Sequence, residues 1–415
     1  AHNRQSVMRR DLNPKGGVIK MNHDIHNYKR RLEVQLNLLK NDPSISEENK
    51  KLICKFKEFS FSSGISIGRI VRYLFDLRTM AQLLNKNFEE ANKEDILVLA
   101  GKLERSERFS KSTVRDLKLT LRKFYKWLRN TDEFPDEVRW LKTYLKYDSI
   151  KNPEDMLTEE EVRNMINVCA NPRDRAFISM LYESGCRIGE ILLIKINHVK
   201  FDKYGALLLV NGKTGFRRVR IISSVPYLTE LINKHPLKDD QEAFLWIDRK
   251  FQRLSYGAVI GILKRKAKKA GVKKKVNPHN FRHSRATYLA NFLTEAQMKE
   301  FFGWVQGSDM ASIYVHLSGR DVDSALLKAY GIEDDKEKKE SVLKPKKCLR
   351  CGEVNQATNK FCNKCGLPLD QAAISGILQK DMERKEADRT LDSLLKDQEF
   401  HALIFGLLIS LKHTN

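Results

Sequence analysis

The sequence predicts a mainly α protein with a small antiparallel sheet, of the α+β class, and three observations predict it. Apolar residues recur at spacings of three and four from Ser46 to Arg129. One glycine-bearing turn joins two apolar runs near Gly212. A cysteine-rich stretch and then a helical one close the chain. Periods of 3.6 and 2 separate helix from strand, so the first pattern reads as helices and the second as a hairpin.

A chain of 415 residues exceeds what one hydrophobic core serves, so two or three domains are expected. With 41% hydrophobic and 31% charged residues it reads as globular rather than disordered. Seventy-six Lys and Arg against 53 Asp and Glu leave a net charge of +23, an excess that points to a polyanionic partner, nucleic acid before a membrane surface. No apolar run approaches the length of a membrane span, and the first thirty residues are polar and basic. Neither a span nor a secretion signal is expected, which places the chain in the cytoplasm. Four of the seven cysteines lie within eighteen residues and the others, Cys54, Cys169 and Cys186, are scattered, which argues for metal in a reducing compartment rather than disulfides.

Residues 1–45 are read as an N-terminal extension, and 46–135 as a helical domain with helices at Ser46 to Ser60, Ser66 to Leu84, Lys93 to Glu104 and Ser112 to Arg129. In the last of these, Val114, Leu117, Leu121, Phe124 and Leu128 define one buried stripe. Arg115, Lys118, Arg122, Lys126 and Arg129 recur on the other side. One such helix is equally well a solvated face, but the Ser66 helix repeats the theme with Arg69, Arg72 and Arg78. Two basic faces in one small domain suit contact with a phosphate backbone, which gives affinity without sequence readout.

A linker at 136–153 precedes Thr158-Glu159-Glu160-Glu161, a capping box that opens a second domain over 154–332. Helices are predicted at Arg173 to Ser184 and Ile188 to Lys195. Ala206 to Val210 and Arg218 to Ile222 then flank a turn tipped by Lys213. Further helices are predicted at Leu254 to Ala270, Phe281 to Phe292, Glu295 to Phe302 and Ala311 to Tyr314. Between Lys264 and Lys275 stand eight Lys or Arg and no acid. Lys264, Arg265, Lys268, Lys269, Lys273, Lys274 and Lys275 are therefore candidate DNA-backbone contacts, with a solvated face as the plainer alternative.

Several residues of this domain invite a chemical reading. Arg187 follows Gly185 and Cys186 at a helix start, Lys213 tips the hairpin, His279 and Arg282 stand three apart, Trp304 follows Gly303, and Tyr314 sits in Ile313-Tyr314-Val315-His316. Each alone has an ordinary explanation at a surface or in a core. In this order, they resemble the tyrosine recombinase (integrase) family, whose catalytic domain carries an Arg, a hairpin Lys, a His-x-x-Arg, a His or Trp, and a Tyr. The matching text is Ser184-Gly185-Cys186-Arg187-Ile188-Gly189-Glu190, Gly212-Lys213-Thr214-Gly215, Pro278-His279-Asn280-Phe281-Arg282-His283-Ser284-Arg285-Ala286-Thr287, Phe302-Gly303-Trp304 and Ile313-Tyr314-Val315-His316. The resemblance is strong over Asp155 to Tyr330 and weaker over the helical domain, which looks like the family's core-binding domain.

The resemblance implies a site-specific recombinase acting on double-stranded DNA through a 3′-phosphotyrosyl intermediate, in a homo-oligomer expected to be a tetramer on paired sites, with an accessory DNA-bending protein as a further partner. A mobile-element integrase is the expected setting. The chemistry suits the residues. Arg187 and Arg282 would clamp the non-bridging oxygens without losing their protons. Tyr314 would attack, since a phosphotyrosine conserves bond energy for religation. Lys213 would protonate the departing 5′-oxygen. By the same resemblance His279 would act as acid or base and hydrogen-bond the phosphate, Glu190 would be placed to orient it, and Trp304 would hold the phosphate and the Tyr314 helix by packing and its indole N–H. Most relatives carry His at the Trp304 position and a minority carry Trp. His283 falls on a structural position of the family pattern and is left outside the catalytic set. No metal or other cofactor is required, because arginines take the place of divalent ions.

After a charged linker at 333–346, the segment 347–370 carries Cys348-x-x-Cys351 and Cys362-x-x-Cys365, two knuckles each closed by a glycine, Gly352 and Gly366. This is zinc-ribbon spacing, with structural zinc supplying folding energy that so small a module lacks. The remainder, 371–415, reads as a C-terminal helix and interaction segment ending in the apolar run Phe400 to Leu411. By resemblance, the segment exchanged between protomers would be Asp321 to Tyr330. A type IB topoisomerase, which shares the Arg, Lys, His and Tyr logic, is the alternative enzyme, and a DNA-binding protein that has kept the fold is the non-enzymatic one.

Overall fold

The computed structural model describes residues 24–144, 153–212, 215–317, 330, 341–397, 400 and 402, and the chain divides into two compact units at Ile150 and Lys151.

Among the described residues the first unit is all helix: α1 (Tyr28–Lys40), α2 (Glu47–Ser62), α3 (Ile67–Leu84), α4 (Lys93–Arg105), α5 (Lys111–Leu128) and the short α6 (Asp136–Arg139). Its starts follow from capping, since Ser46, Asn92 and Ser110 each accept a backbone N–H three residues on. The α5 stripe packs into the core, where Phe124 meets Phe56, Phe88 and Trp127 at ring-centroid distances of 5.3, 4.9 and 5.6 Å. Burying one such ring is worth about 1.5–3 kcal/mol. The segment expected to be an extension contributes α1, which packs on α3 with Leu39 in the same core.

The second unit is built around α8 (Pro172–Ser184), capped by Asn171 and buried at every residue from Ala176 to Ser184. It touches α7 (Glu159–Asn167), α10 (Val225–Asn233) and α12 (Pro278–Leu289). Strands β1 (Val199–Asp202), β2 (Gly205–Gly212) and β3 (Gly215–Ile221) form an antiparallel sheet in that order. At its far end the Glu183 carboxylate accepts the backbone N–H groups of Ile222, Ser223 and Ser224 at 2.7, 2.8 and 2.7 Å, fastening the exit of β3 to α8. The remaining α-helices among the described residues are α9 (Ile188–Leu192), α11 (Tyr256–Lys269), α13 (Glu295–Phe302), α14 (Met310–Leu317) and α15 (Gln371–Lys396), and β4 (Lys346–Lys347) pairs with β5 (Val354–Asn355).

Some boundaries differ from expectation. Helix α9 stops at Leu192 rather than Lys195, because the chain leaves the helix to pair with a neighbouring segment: Leu245 N–H donates to Ile194 O and Ile196 N–H to Ala243 O. Helix α12 starts at Pro278, three residues before Phe281, because the Asn277 side chain caps it and proline occupies its first position. Strand β1 and helix α10 are additions to the expected elements. β1 buries one residue in four, too short an alternation to stand out. The expected segments Asp321 to Tyr330 and Phe400 to Leu411 lie almost wholly outside the described residues.

Candidate active site

The site forms where four chain segments meet. α8 ends at Gly185 with φ 54°, and a Cβ there would lie 2.5 Å from a ring carbon of Phe302, so only glycine makes this turn. Two residues later Arg187 caps α9, donating its backbone N–H to Glu190 Oε2 at 2.8 Å. Its guanidinium gives Nη1 to Glu190 Oε1 at 3.0 Å and Nη2 to Gly303 O at 3.1 Å, and the side chain stays 35% exposed.

Glu190 is buried and also receives both Nη atoms of Arg217 at 2.8 Å, while Arg217 Nε donates to Phe301 O at 3.1 Å. Burial alone would raise the Glu190 carboxyl; the Arg217 hydrogen bonds and charge, joined by those of Arg187, outweigh it and hold the group below the ordinary range. Arg217 is absent from the residues that the sequence singles out. Its signal is the alternation along β3: Val219 and Ile221 are fully buried, and Arg217 shares their face.

Arg282, on α12, is 6% exposed. It donates Nη1 to Gly185 O at 2.9 Å and Nη2 to Phe302 O at 2.7 Å, and lies 5.1 and 5.6 Å from the ring centroids of Phe302 and Trp304. Burial, then the nearby Arg187 charge, push it down to about 10, which leaves it cationic at neutral pH. Trp304 follows Gly303, the C-cap of α13, and stacks on Tyr314 with centroids 5.5 Å apart and planes 5° from parallel. Tyr314 is 4% exposed, and burial pushes its phenol up to about 12 against the opposing charge of Arg282. The Tyr314 hydroxyl hydrogen-bonds Nδ1 of His283. His279, one turn earlier on α12, is exposed, with its ring centroid 5.7 Å from that of His283.

Arg187, Glu190, Arg282, Trp304 and Tyr314 therefore come together from α9, α12, the α13 exit and α14, with His279 at the rim. Lys213 lies outside the described residues.

A second site lies in the small cysteine module. The sulfurs of Cys348, Cys351, Cys362 and Cys365 all fall within 4.8 Å of one another, so these four residues could hold a metal ion. The two knuckles repeat one geometry. Gly352 N–H donates to Cys348 O and Gly366 N–H to Cys362 O, both at 2.9 Å, and both glycines take φ 72°. The module sits against α10: Gln356 Nε2 donates to Glu230 Oε2 at 2.8 Å, and the Tyr227 and Thr358 hydroxyls are 3.1 Å apart.

The basic candidates divide. Arg69, Lys264, Arg265, Lys268, Lys269, Lys273 and Lys275 are exposed. Lys118 is not on a free face: it is buried and paired with Glu104 at 2.5 Å, because its position on α5 turns toward α4. Arg72 is held by the buried Asp76 at 2.7 Å, Arg115 by Asp116 at 2.9 Å, and Lys274 by Glu161 at 3.0 Å. Arg122 lies 3.9 Å from the Phe134 ring centroid, and Lys126 is half-buried. The α5 face is thus less open than its sequence period suggests.

Comparison with known proteins identifies relatives of this chain. The family described as the phage integrase family matches residues 155–320. The tyrosine recombinase XerA of Pyrococcus furiosus is 31% identical over 216 residues, covering 48% of this chain and 74% of its own length. The fold resembles that of the XerH site-specific recombinase bound to palindromic difH substrate, with a TM-score of 0.53 and 17% identity over 73% of this chain and 89% of that one. It also resembles a lambda integrase tetramer bound to a Holliday junction, with a TM-score of 0.52 and 16% identity over 66% of this chain and 78% of that one.

Proposed function

This chain belongs to the tyrosine recombinase family, enzymes that cut and rejoin DNA at specific sites, and from that premise we propose how its own residues divide the work. The type IB topoisomerase reading is not favoured. The observation that carries the assignment is the convergence of Arg187, Arg282, Trp304 and Tyr314. Two guanidinium groups beside a stacked phenol form a site for one phosphodiester. Arg187 and Arg282 neutralise its non-bridging oxygens, and the Tyr314 oxygen attacks phosphorus. The 5′-oxygen leaves with a proton from Lys213, and the DNA 3′ end stays on Tyr314 as a phosphoester. His279, exposed at the rim, bonds the phosphate; Glu190 holds Arg187 in place, and Trp304 fixes the tyrosine ring.

The duplex backbone is gripped by the helical unit through Arg69 and by α11 through Lys264, Arg265, Lys268 and Lys269, whose exposure supports the role. The active form is a homo-oligomer on paired sites, a tetramer in the full synapse. The cysteine module holds structural zinc. Its four thiolates are the preferred donors for that ion, and the Cys348–Cys365 and Cys351–Cys362 sulfur separations of 3.5 and 3.6 Å approach the roughly 3.8 Å between ligands of a tetrahedral site with about 2.3 Å Zn–S bonds. No helix among the described residues is long and apolar enough to cross a membrane.

The test is to mix the protein with sheared genomic DNA, denature it, capture covalent protein–DNA adducts and sequence the joined ends, with Tyr314→Phe as control. Adducts clustered at one or two sequences and absent from the control are expected. Adducts scattered over all fragments would return the topoisomerase reading, and adducts that persist in Tyr314→Phe would remove Tyr314 as nucleophile.

A further inference from the structure

An attacking phenol must lose a proton, and although the resemblance makes His279 an acid or base, His279 is exposed at the rim while the Tyr314 hydroxyl contacts a different imidazole. Arg187 and Arg282 are cations, Lys213 is assigned to the leaving oxygen, and Trp304 offers a ring face and a donor. The Tyr314 hydroxyl is buried and directed at Nδ1 of His283, with the ring centroids 5.8 Å apart. The tyrosine ring is held by the parallel indole of Trp304, 5.5 Å away between centroids. The hydroxyl is thus held toward the imidazole by packing as well as by the hydrogen bond. Neutral imidazole protonated at Nε2 presents Nδ1 as an acceptor, the tautomer this contact needs when the phenol donates.

We propose that His283 is a catalytic residue, accepting the Tyr314 phenolic proton as the tyrosine oxygen attacks the scissile phosphorus. This rests on Tyr314 being the nucleophile. As the O–P bond forms, the O–H bond breaks and its proton moves to His283 Nδ1. The 5′-oxygen leaves with its bonding pair and takes a proton from Lys213. On religation the 5′-hydroxyl gives its proton back to Lys213 as its oxygen attacks phosphorus, the phenol oxygen leaves and takes the proton held by His283, and the cycle closes with no net change. The need for an acceptor is sharpened by burial, which raises the phenol and makes spontaneous ionisation rare at neutral pH. His283 stands beside Arg282 in sequence, so one turn of α12 supplies both a phosphate clamp and the proton acceptor.

The test uses single-turnover cleavage of a duplex bearing the sequence recovered by adduct capture, made with either oxygen or sulfur at the bridging 5′ position. A 5′-sulfur leaves without protonation. Lys213→Ala is therefore expected to be slow on the oxygen substrate and restored on the sulfur one. His283→Ala is expected to be slower by about a hundredfold or more on both, the range of a general base. His283→Asn guards against a folding artefact: it keeps a hydrogen-bonding group near the phenol but cannot take up the proton, and is expected to be as slow as His283→Ala with an unchanged melting temperature. Cleavage by His283→Ala within threefold of wild type overturns the proposal, as does a wild-type rate in His283→Asn, which would reduce the contact to alignment. Adducts in Tyr314→Phe at the wild-type level would instead remove the nucleophile on which it rests.

Discussion

Arg217 and Glu190 face each other through two hydrogen bonds of 2.8 Å, with side chains 11% and 2% exposed, in a pair that joins β3 to the start of α9. Arg187 shares the same carboxylate, so the pair also sets where a clamp arginine stands. Removing one partner of a buried pair strands the other charge and costs about 3–5 kcal/mol. Arg217→Met is expected to lower unfolding stability in urea by that amount. Arg217→Lys, which keeps charge but not the fork, should recover part of it.

The same pair gives a pH signature. The folded Glu190 carboxyl lies below its ordinary value of 4.5, so its contribution is complete above that pH and drains away as pH falls through the folded value. Glu190→Gln is expected to flatten that acid limb while lowering stability at pH 7. Thermal melts from pH 7 to pH 3 check this, and an unchanged limb would count against the pair.

Trp304 lies parallel to Tyr314, and aromatic pairs contribute about 0.5–1.5 kcal/mol beyond buried area. Trp304→Ala is expected to slow adduct formation about tenfold or more by releasing the ring, with Trp304→Phe closer to wild type. Quench-flow cleavage of the captured site measures both.

Metal removal should act locally. One zinc ion per chain is expected by elemental analysis, and a chelator or Cys351→Ser should make residues 341–370 sensitive to protease. The hydrogen bonds to Tyr227 and Glu230 would then break, so backbone hydrogen exchange in α10 is expected to rise. Unaltered exchange there would mean that the module does not brace that helix.

A grip on the duplex backbone by α11 predicts a salt effect. Replacing Lys264, Arg265, Lys268 and Lys269 together by alanine should weaken binding equally to the captured site and to an unrelated duplex. For every phosphate that is no longer neutralised, the log–log salt slope should become shallower by about 0.9. Fluorescence anisotropy over a salt series reads both quantities.

The helices of the first unit are legible because burial there follows a 3.6-residue period, and α5 shows it plainly in Val114, Leu117, Leu121 and Phe124. The α12 start is harder to place because Pro278 reads as an interruption, whereas at the first position of a helix it costs nothing. Charge is the least legible feature. A period places Lys118 on a face, but only the fold shows that Glu104 stands opposite. Arg217 sits among the three arginines of Gly215–Ile221, and nothing local says which one turns inward until the register of β2 and β3 is known. The contact between His283 and Tyr314 joins residues thirty-one apart, which spacing alone cannot reveal.

Arg282 spends two of its N–H groups on the carbonyls of Gly185 and Phe302, so it ties the end of α8 to the end of α13 whether or not a phosphate is present. A descendant of this protein that had lost its chemistry would still be selected to keep that arginine, or else lose its shape. The Tyr314 ring is buried too, but a phenylalanine would keep it packed, so its hydroxyl and the half-exposed Arg187 carry less of that architectural duty and should be the first to drift. In a lineage of such proteins, retention of Arg282 would report folding, and retention of Tyr314 would report work.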